Sequence, residues 1–313
     1  MTLPSCSLWM FVARTDVSFM MHTIPHLIKM CNFPFEETVL CIDTKPLTGD
    51  KVLRPHIGTM EQLRQNCEEL LKRGIVDRVI DIDYNPVLID KIHQKHFNAK
   101  IKQTHNYKGY PVYGSIFKIE MCKSDYVLHF DSDMMLHQPP NYNWIEEGIQ
   151  IIEKHAELIS TRPFAGPPRE DRTPPQEISA YKGDGEYYRF KGFGSRAYLI
   201  NRKRFDQLVP FPIIWKPYRK KIMNQIPNSA KTVLNAWLNK GKLESWEVLL
   251  SEKLKQTQYY RGMLSNPTAW TLHPNCRTPE FFQALPTIIN RIEEGNYPPG
   301  QGGTYDLKLD LWI

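Results

Sequence analysis

The chain has 313 residues, 41% of them hydrophobic, 24% charged and 12% aromatic; it is long enough to bury a large core and unlike a disordered, fibrous or repeat protein. A formal charge of +6 is mild for this length: it suits anionic ligands such as nucleotides and falls short of a nucleic-acid-binding signature. The six cysteines form no CxxC pair, and Cys41 in TVLCID and Cys122 in IEMCKSD sit among apolar residues, the pattern of reduced thiols in a cytoplasmic protein rather than a disulfide frame.

Residues 8–13 (LWMFVA) read as a buried strand. No basic segment precedes them, and Arg14 and Asp16 end the run too early for a signal peptide. A helix is expected from about Thr23, with Pro25 in its first turn. The β-branched run 38–43 (TVLCID) is a second strand. Thr59 and Gln62 have capping-box spacing; Leu63, Cys67, Leu70 and Leu71 follow at helical period, and Gly74 closes that helix. Residues 77–83 (DRVIDID) form a third strand candidate, followed by helical PVLIDKIHQKHF. A further helix over 113–122 leads into a strand over 126–130. This alternation predicts an α/β fold, a doubly wound and mostly parallel sheet flanked by helices.

The later chain is less regular. Residues 162–189 are dense in proline, glycine and charge and read as a long loop of the kind that forms lids. A strand is expected within 191–201, a short helix over 202–208, and helices around 228–239 and 278–294. The tail, YPPGQGGTYDLKLDLWI, reads as extended over the body. No stretch approaches the ~20 apolar residues of a membrane span, so a soluble cytoplasmic protein is expected. Basic residues at 202–204 and 216–221 leave room for weak peripheral contact with a membrane.

In such sheets ligands bind beyond the carboxyl ends of the strands. Asp16, Asp43, Asp83, Asp131 and Asp133 all fall there. Two D-x-D sequences occur. In Asp81-Ile82-Asp83 the middle residue is apolar and still within the strand, the mark of a structural element. In Asp131-Ser132-Asp133 the apolar run has stopped, so a turn can aim both carboxylates at one hard cation, Mn²⁺ or Mg²⁺, which favours one or two carboxylates plus substrate phosphates. The bland alternative is a structural turn. His93 and His96, beside Lys95, read as solvent-facing rather than as a zinc site. Lys118 reads as a surface ion-pair partner, a reading open to Arg14 as well.

An apolar strand ending in D-S-D after three strand–helix units resembles the D-x-D motif of GT-A-fold glycosyltransferases, with a family-two-like order of motifs. Within that resemblance 191–201 is similar to the acceptor-side strand. Glu244-Ser245-Trp246-Glu247 is similar to the acidic segment that supplies the base of inverting members, and His273 in WTLHP to their late metal-binding histidine. The resemblance covers roughly 8–275. It implies a GT-A domain over 1–275, with a nucleotide-binding half to about 135 and an acceptor half from 136, followed by a C-terminal helix and tail over 276–313. It further implies Asp133, Asp131 and His273 around the metal, with Asp131 at the ribose or bound through water. Arg14, Thr15, Asp16, Asp43, Asp83, Asp131 and Ser132 would lie on the nucleotide. Glu247 would be the base, and Trp246 a face for a sugar or aromatic acceptor. His273 before Pro274 is equally suited to capping a turn, and Glu247 to a solvated helix surface.

The implied activity is transfer of a sugar from a nucleotide-diphospho-sugar, a UDP-sugar first, to a hydroxyl of a saccharide, peptide or small molecule. A phosphatase of the haloacid-dehalogenase type is disfavoured because its D-x-D closes the first strand. A sugar-nucleotide pyrophosphorylase is disfavoured because residues 8–16 contain no glycine. A non-catalytic sugar-nucleotide or glycan binding protein on the same fold is the remaining alternative.

Overall fold

Seven residues of low polarity, CSLWMFV, make β1 (Cys6–Val12) a strand buried on both faces, and such a strand needs partners on either side and helices above and below. It pairs in parallel with β2 (Thr38–Ile42), Leu8 opposite Thr38, and beyond β2 lies β3 (Arg78–Asp81). On its other side it pairs in parallel with β4 (Tyr126–Phe130), Cys6 opposite Tyr126. The connecting helices are α1 (Met20–Cys31), α2 (Met60–Lys72), α3 (Pro86–Phe97) and α4 (Tyr113–Met121). The computed structural model describes residues 3–171, 182–183, 185–218, 224–238, 240–275 and 277–313.

The capping box of α2 forms as expected: Thr59 Oγ1 accepts from Gln62 N at 3.1 Å, and Gln62 Oε1 accepts from Thr59 N at 2.9 Å. Gly74 follows with φ +65°, the left-handed stop that glycine adopts without a Cβ penalty. Helix α1 begins three residues earlier than expected, so Pro25 lies inside it rather than in its first turn. Thr23, expected as a cap, instead donates its hydroxyl to the Ser132 carbonyl at 2.5 Å, tying α1 to the D-S-D turn.

The second half follows β4 with β5 (Met135–His137), α5 (Trp144–Lys154), β6 (Leu158–Thr161), β7 (Phe164–Ala165), β8 (Lys182–Gly183), β9 (Tyr187–Phe190), β10 (Ala197–Asn201), α6 (Arg202–Asp206), α7 (Asn228–Leu238), α8 (Trp246–Lys255), β11 (Tyr260–Leu264), β12 (Trp270–Pro274), α9 (Pro279–Glu293) and β13 (Asp306–Leu307). Strand β10 enters antiparallel between β4 and β6. The large sheet therefore runs β3-β2-β1-β4-β10-β6-β11-β9-β8, parallel through its first four positions and mixed beyond. A smaller sheet is built around β12, with β5 antiparallel and both β7 and β13 parallel to it. The expected 162–189 loop carries β7, β8 and β9 at its described ends. Its centre, like the basic residues 219–221 and Cys276, lies outside the described residues. Cys6, Cys31, Cys41, Cys67 and Cys122 are free and buried. Among the described residues no helix is long and apolar enough to cross a membrane.

Helix α9 is tied to α1 by more than apolar contact. His26 on α1 accepts the Leu136 N–H at Nε2 (3.1 Å), which leaves Nδ1 to donate to Glu293 Oε1 on α9 at 3.0 Å; Lys29 closes on the other carboxylate oxygen. The His26 bond, against the cost of burial, and then Lys29 hold the Glu293 carboxyl at about 2, below its ordinary 4.5. A depressed carboxyl stabilises the fold above its unfolded pKa and loses that contribution as pH falls through the folded value. Glu293→Gln is therefore expected to remove part of the acid-dependent loss of stability between about pH 4.5 and pH 2, measured by urea unfolding across that range; an unchanged acid limb refutes the assignment.

Candidate active site

A cleft of about 890 Å³ opens at the carboxyl ends of β1, β2 and β4 and is walled on the far side by the 195–196 segment, the start of α8 and the end of β12. This is the size and place expected of a small-molecule site in an α/β sheet. At its floor β4 passes into Asp131-Ser132-Asp133. The Asp131 N–H donates to the Arg196 carbonyl at 2.7 Å, and Met134 N donates to the Asp131 carbonyl at 3.0 Å, closing a turn. The turn and the carboxylate-presenting readings of this segment are thus one arrangement.

Asp131 Oδ1 lies 3.1 Å from His129 Nε2, the other ring nitrogen facing the Trp9 carbonyl at 2.8 Å, and the Asp131 side chain is 43% exposed toward the cleft. Burial works against its charge, but the His129 bond and the charges of His129, Lys118 and His273 together hold its carboxyl below the usual range. Ser132 is buried and donates to Asp16 Oδ2 at 3.0 Å. Asp16 also accepts from the Ala13 N–H at 3.0 Å and the Thr15 hydroxyl at 2.7 Å, so it braces the D-S-D turn from β1. Burial raises the Asp16 carboxyl despite Arg277 and Lys51 nearby.

Asp133 differs. Its Oδ2 is held by Arg277 and lies 3.8 Å from His273 Nε2, while its Oδ1 is buried without a hydrogen-bond partner. His273 is oriented from behind by Asp306 at 3.3 Å from Nδ1 and by Tyr305, whose ring stacks at 6.1 Å. An imidazole fixed by a carboxylate on its far nitrogen is the usual preparation of a metal-binding histidine. The donor set, a partnerless carboxylate oxygen beside an oriented imidazole, fits Mn²⁺ or Mg²⁺. Among the described residues no three His, Cys, Asp or Glu side chains already converge on one point.

On the opposite wall Asp43 accepts from Tyr84 OH at 2.7 Å and bonds to His105 Nε2 at 2.9 Å. Burial opposes its ionisation, but His105, Lys51 and Tyr84 outweigh it and hold its carboxyl low. Glu247 stands in the first turn of α8, capped by Ser245 (3.3 Å to Val248 N). It is exposed to the cleft, and its Oε2 accepts from Ser195 Oγ at 3.1 Å and Ser195 N at 3.4 Å.

The structure therefore brings Thr15, Asp16, Asp43, Asp131, Ser132, Asp133, Glu247 and His273 to one cleft. Arg14 and Asp83 do not line it. Arg14 donates Nε to the Gly58 carbonyl at 2.9 Å, and Asp83 accepts from Asn85 N at 2.8 Å at the start of α3. Asp81 pairs with Arg64 at the surface at 2.8 Å, a structural role as expected of the first D-x-D. Trp246 is 3% exposed and packs its ring against Phe205 and Phe211 at 5.7 and 5.4 Å, so it anchors α8 in the core rather than offering a sugar platform.

His93 and His96 are buried, not solvent-facing: with Ile89, Ile92 and Phe97 they occupy the inner face of α3, bonded to the Ile101 carbonyl and to Glu120, both at 2.7 Å. Lys118 is no surface partner either. It is fully buried, 4.2 Å from the Phe11 ring centroid and 5.0 Å from that of Tyr198, with no hydrogen bond to Nζ. Burial drives its pKa well down, against the pull of Asp131. Arg277 and Arg196 went unread in the sequence because nothing local marks them.

A buried amine without a hydrogen bond contributes no bond to lose. Lys118→Met, of similar volume and apolar, is expected to keep or raise the melting temperature. Calorimetry reads this; a fall of several degrees refutes it.

No protein-family model and no curated protein matches the chain in sequence. Solved structures match it in fold. GalNAc-T7 with UDP, GalNAc and Mn²⁺ aligns with a TM-score of 0.50 at 15% identity, over 87% of this chain and 44% of that one. The chain thus spans less than half the length of that relative. S. aureus TarS with UDP-GlcNAc aligns at 0.46 and 12% identity, over 92% of this chain and 66% of that one. LgtC aligns at 0.33 and 13%, over 82% and 71%. The sheet order with β10 inserted antiparallel beside the D-S-D strand, together with the GalNAc-T7 alignment, identifies the architecture: the chain has the GT-A fold of glycosyltransferases.

Proposed function

We propose that the chain is a metal-dependent glycosyltransferase that moves a sugar from a nucleotide-diphospho-sugar, a UDP-sugar first, to an acceptor hydroxyl with inversion. The observation that carries this reading is the partnerless, buried Oδ1 of Asp133 beside His273 at the floor of the cleft. Asp133 and His273 would hold Mn²⁺ or Mg²⁺, with Asp131 at the ribose or bound through water; the donor's diphosphate supplies the remaining oxygens. When bound, the cation offsets the negative charge that grows on the leaving diphosphate.

The chain's own residues do the rest. Thr15, Asp43 and the 131–133 turn shape the nucleoside end of the cleft, and the guanidinium of Arg277, now on Asp133, is placed to meet diphosphate oxygens. Glu247 Oε1, the oxygen not engaged by Ser195, takes the proton of the acceptor hydroxyl. The acceptor oxygen attacks the anomeric carbon as the bond from that carbon to the diphosphate breaks, and the electron pair leaves with the nucleoside diphosphate. One base suffices for a single displacement. In this reading residues 1–135 serve the nucleotide and 136–275 the acceptor, while 276–313 closes the floor through Arg277 and Asp306.

Thermal-shift titration with UDP, GDP and TDP, each with and without Mn²⁺, tests the donor. One nucleotide is expected to raise the melting temperature only with Mn²⁺, as binding to the folded state requires, and Asp133→Ala is expected to abolish that shift. No shift with any pair rejects the reading. Glu247→Gln is expected to keep the nucleotide shift and lose about 10²–10⁴-fold in turnover, the usual share of a general base. Normal turnover would remove Glu247 from that role. A wild-type protein that binds nucleotide but transfers to no acceptor would be the binding protein instead.

A further inference from the structure

Arg196 stands exposed on the cleft wall, and behind it Arg162 and Arg261 converge on Gly194, with Tyr305 against Arg162. Arg162 is 8% exposed, donates to Thr271 Oγ1 at 3.2 Å, and lies with its guanidinium carbon 4.9 Å from the centroid of the Tyr305 ring. Arg261, on β11, has a buried Nε with no hydrogen bond. Its Nη1 lies 2.4 Å, and Arg162 Nη1 3.7 Å, from the point that a Cβ on Gly194 would occupy. The absence of a side chain at Gly194 is what lets the two guanidiniums meet there. Arg196, two residues on, lines the cleft, and its carbonyl accepts the Asp131 N–H at 2.7 Å, which joins this segment to the 131–133 turn.

Among the described residues none of these three arginines has a carboxylate within ion-pair distance, although elsewhere Arg64, Arg78 and Arg277 do. Arg162 is buried and Arg261 partly so, and like charges converging there without a counter-ion are costly unless something neutralises them. Burial, and then the charge of Arg162, push the Arg261 guanidinium down to about 9. Glu247 acts on both Arg196 and Arg261, but its carboxylate is bonded to Ser195 and faces the cleft. Planar guanidiniums are the groups best suited to carboxylate and phosphate oxygens.

We propose that Arg162, Arg196 and Arg261, gathered around Tyr305 and Gly194, form a subsite for an anionic group, carboxylate or phosphate, carried by a sugar substrate. This rests on the transferase reading above and adds to it the substrate's charge. The subsite adjoins both the 131–133 turn and Glu247, so the anion sits either on the donor sugar or on the acceptor sugar.

Thermal shifts at fixed ionic strength, with Mn²⁺, compare UDP-glucuronic acid with UDP-glucose, and then, in the presence of UDP, glucose 6-phosphate with glucose. Inorganic phosphate alone is a third probe. An excess for UDP-glucuronic acid places the anion on the donor; an excess for glucose 6-phosphate places it on the acceptor. Either excess is expected to weaken by about tenfold in affinity in Arg261→Met, the scale of one charge-assisted contact. Gly194→Ala keeps every charge but puts a methyl where Arg261 Nη1 lies, and should weaken it too. Each variant is compared with its own ligand-free melting temperature, so a loss of stability does not mimic a loss of binding.

Equal shifts for charged and neutral partners while UDP with Mn²⁺ still binds, or an excess that survives in both variants, overturns the subsite and leaves the transferase reading intact. No UDP shift, with a phosphate shift lost in Arg261→Met, overturns the donor assignment and keeps the anion site. No shift by either overturns both.

Discussion

Three carboxylates, Asp16, Asp131 and Asp133, stand at the adjoining ends of β1 and β4, and the fold is organised around keeping them separate and aimed. Each is handled differently. Asp16 is turned inward and saturated by the Ala13 amide, Thr15 and Ser132. Asp131 meets His129 Nε2 from within its own strand and leaves much of its side chain open to the cleft. Asp133 is met by Arg277, which arrives from beyond β12. In a low-dielectric floor such charges interact strongly, so the positive groups are as much a part of the strand ends as the carboxylates are.

The opposite wall depends on packing rather than charge. Trp246 locks the first turn of α8 against Phe193, Phe205 and Phe211, and Ser251 on the same helix accepts the Phe193 N–H at 2.8 Å. Glu247 is thereby carried on a rigid helix start, and Ser195 fixes one of its oxygens. The cleft is thereby bounded on this side by a fixed wall.

What the sequence disclosed and what it withheld divide along physical lines. The first four strands and their helices were legible because strand and helix periods are local, and because Thr59, Gln62 and Gly74 punctuate α2 in ways that chain neighbours alone decide. The 131–133 turn was legible for the same reason. The antiparallel entry of β10, and the sheet made by β5, β7, β12 and β13, depend on partners far away in sequence and left no local mark. His93 and His96 were misread although the period was available: 89, 92, 93, 96 and 97 are one helical face, and polarity was given more weight than spacing. Lys118 was misread for another reason. Every residue from Tyr113 to Ile119 is buried, so α4 has no solvent side there for a lysine to take. Trp246 was read as a ligand surface because an aromatic beside an acidic residue suits one, whereas the ring is surrounded on the inside.

The pairing of β13 with β12 places Asp306 behind His273 and Tyr305 beside it, while Thr15, Asp16 and the rest of the floor come from the first strand. The site therefore joins residues from near the two ends of the 313-residue chain. During vectorial synthesis the parallel sheet can assemble early, with its carboxylates in place but the histidine unoriented and Arg277 absent. The floor acquires its final charge balance only when β13 and Arg277 have docked against it.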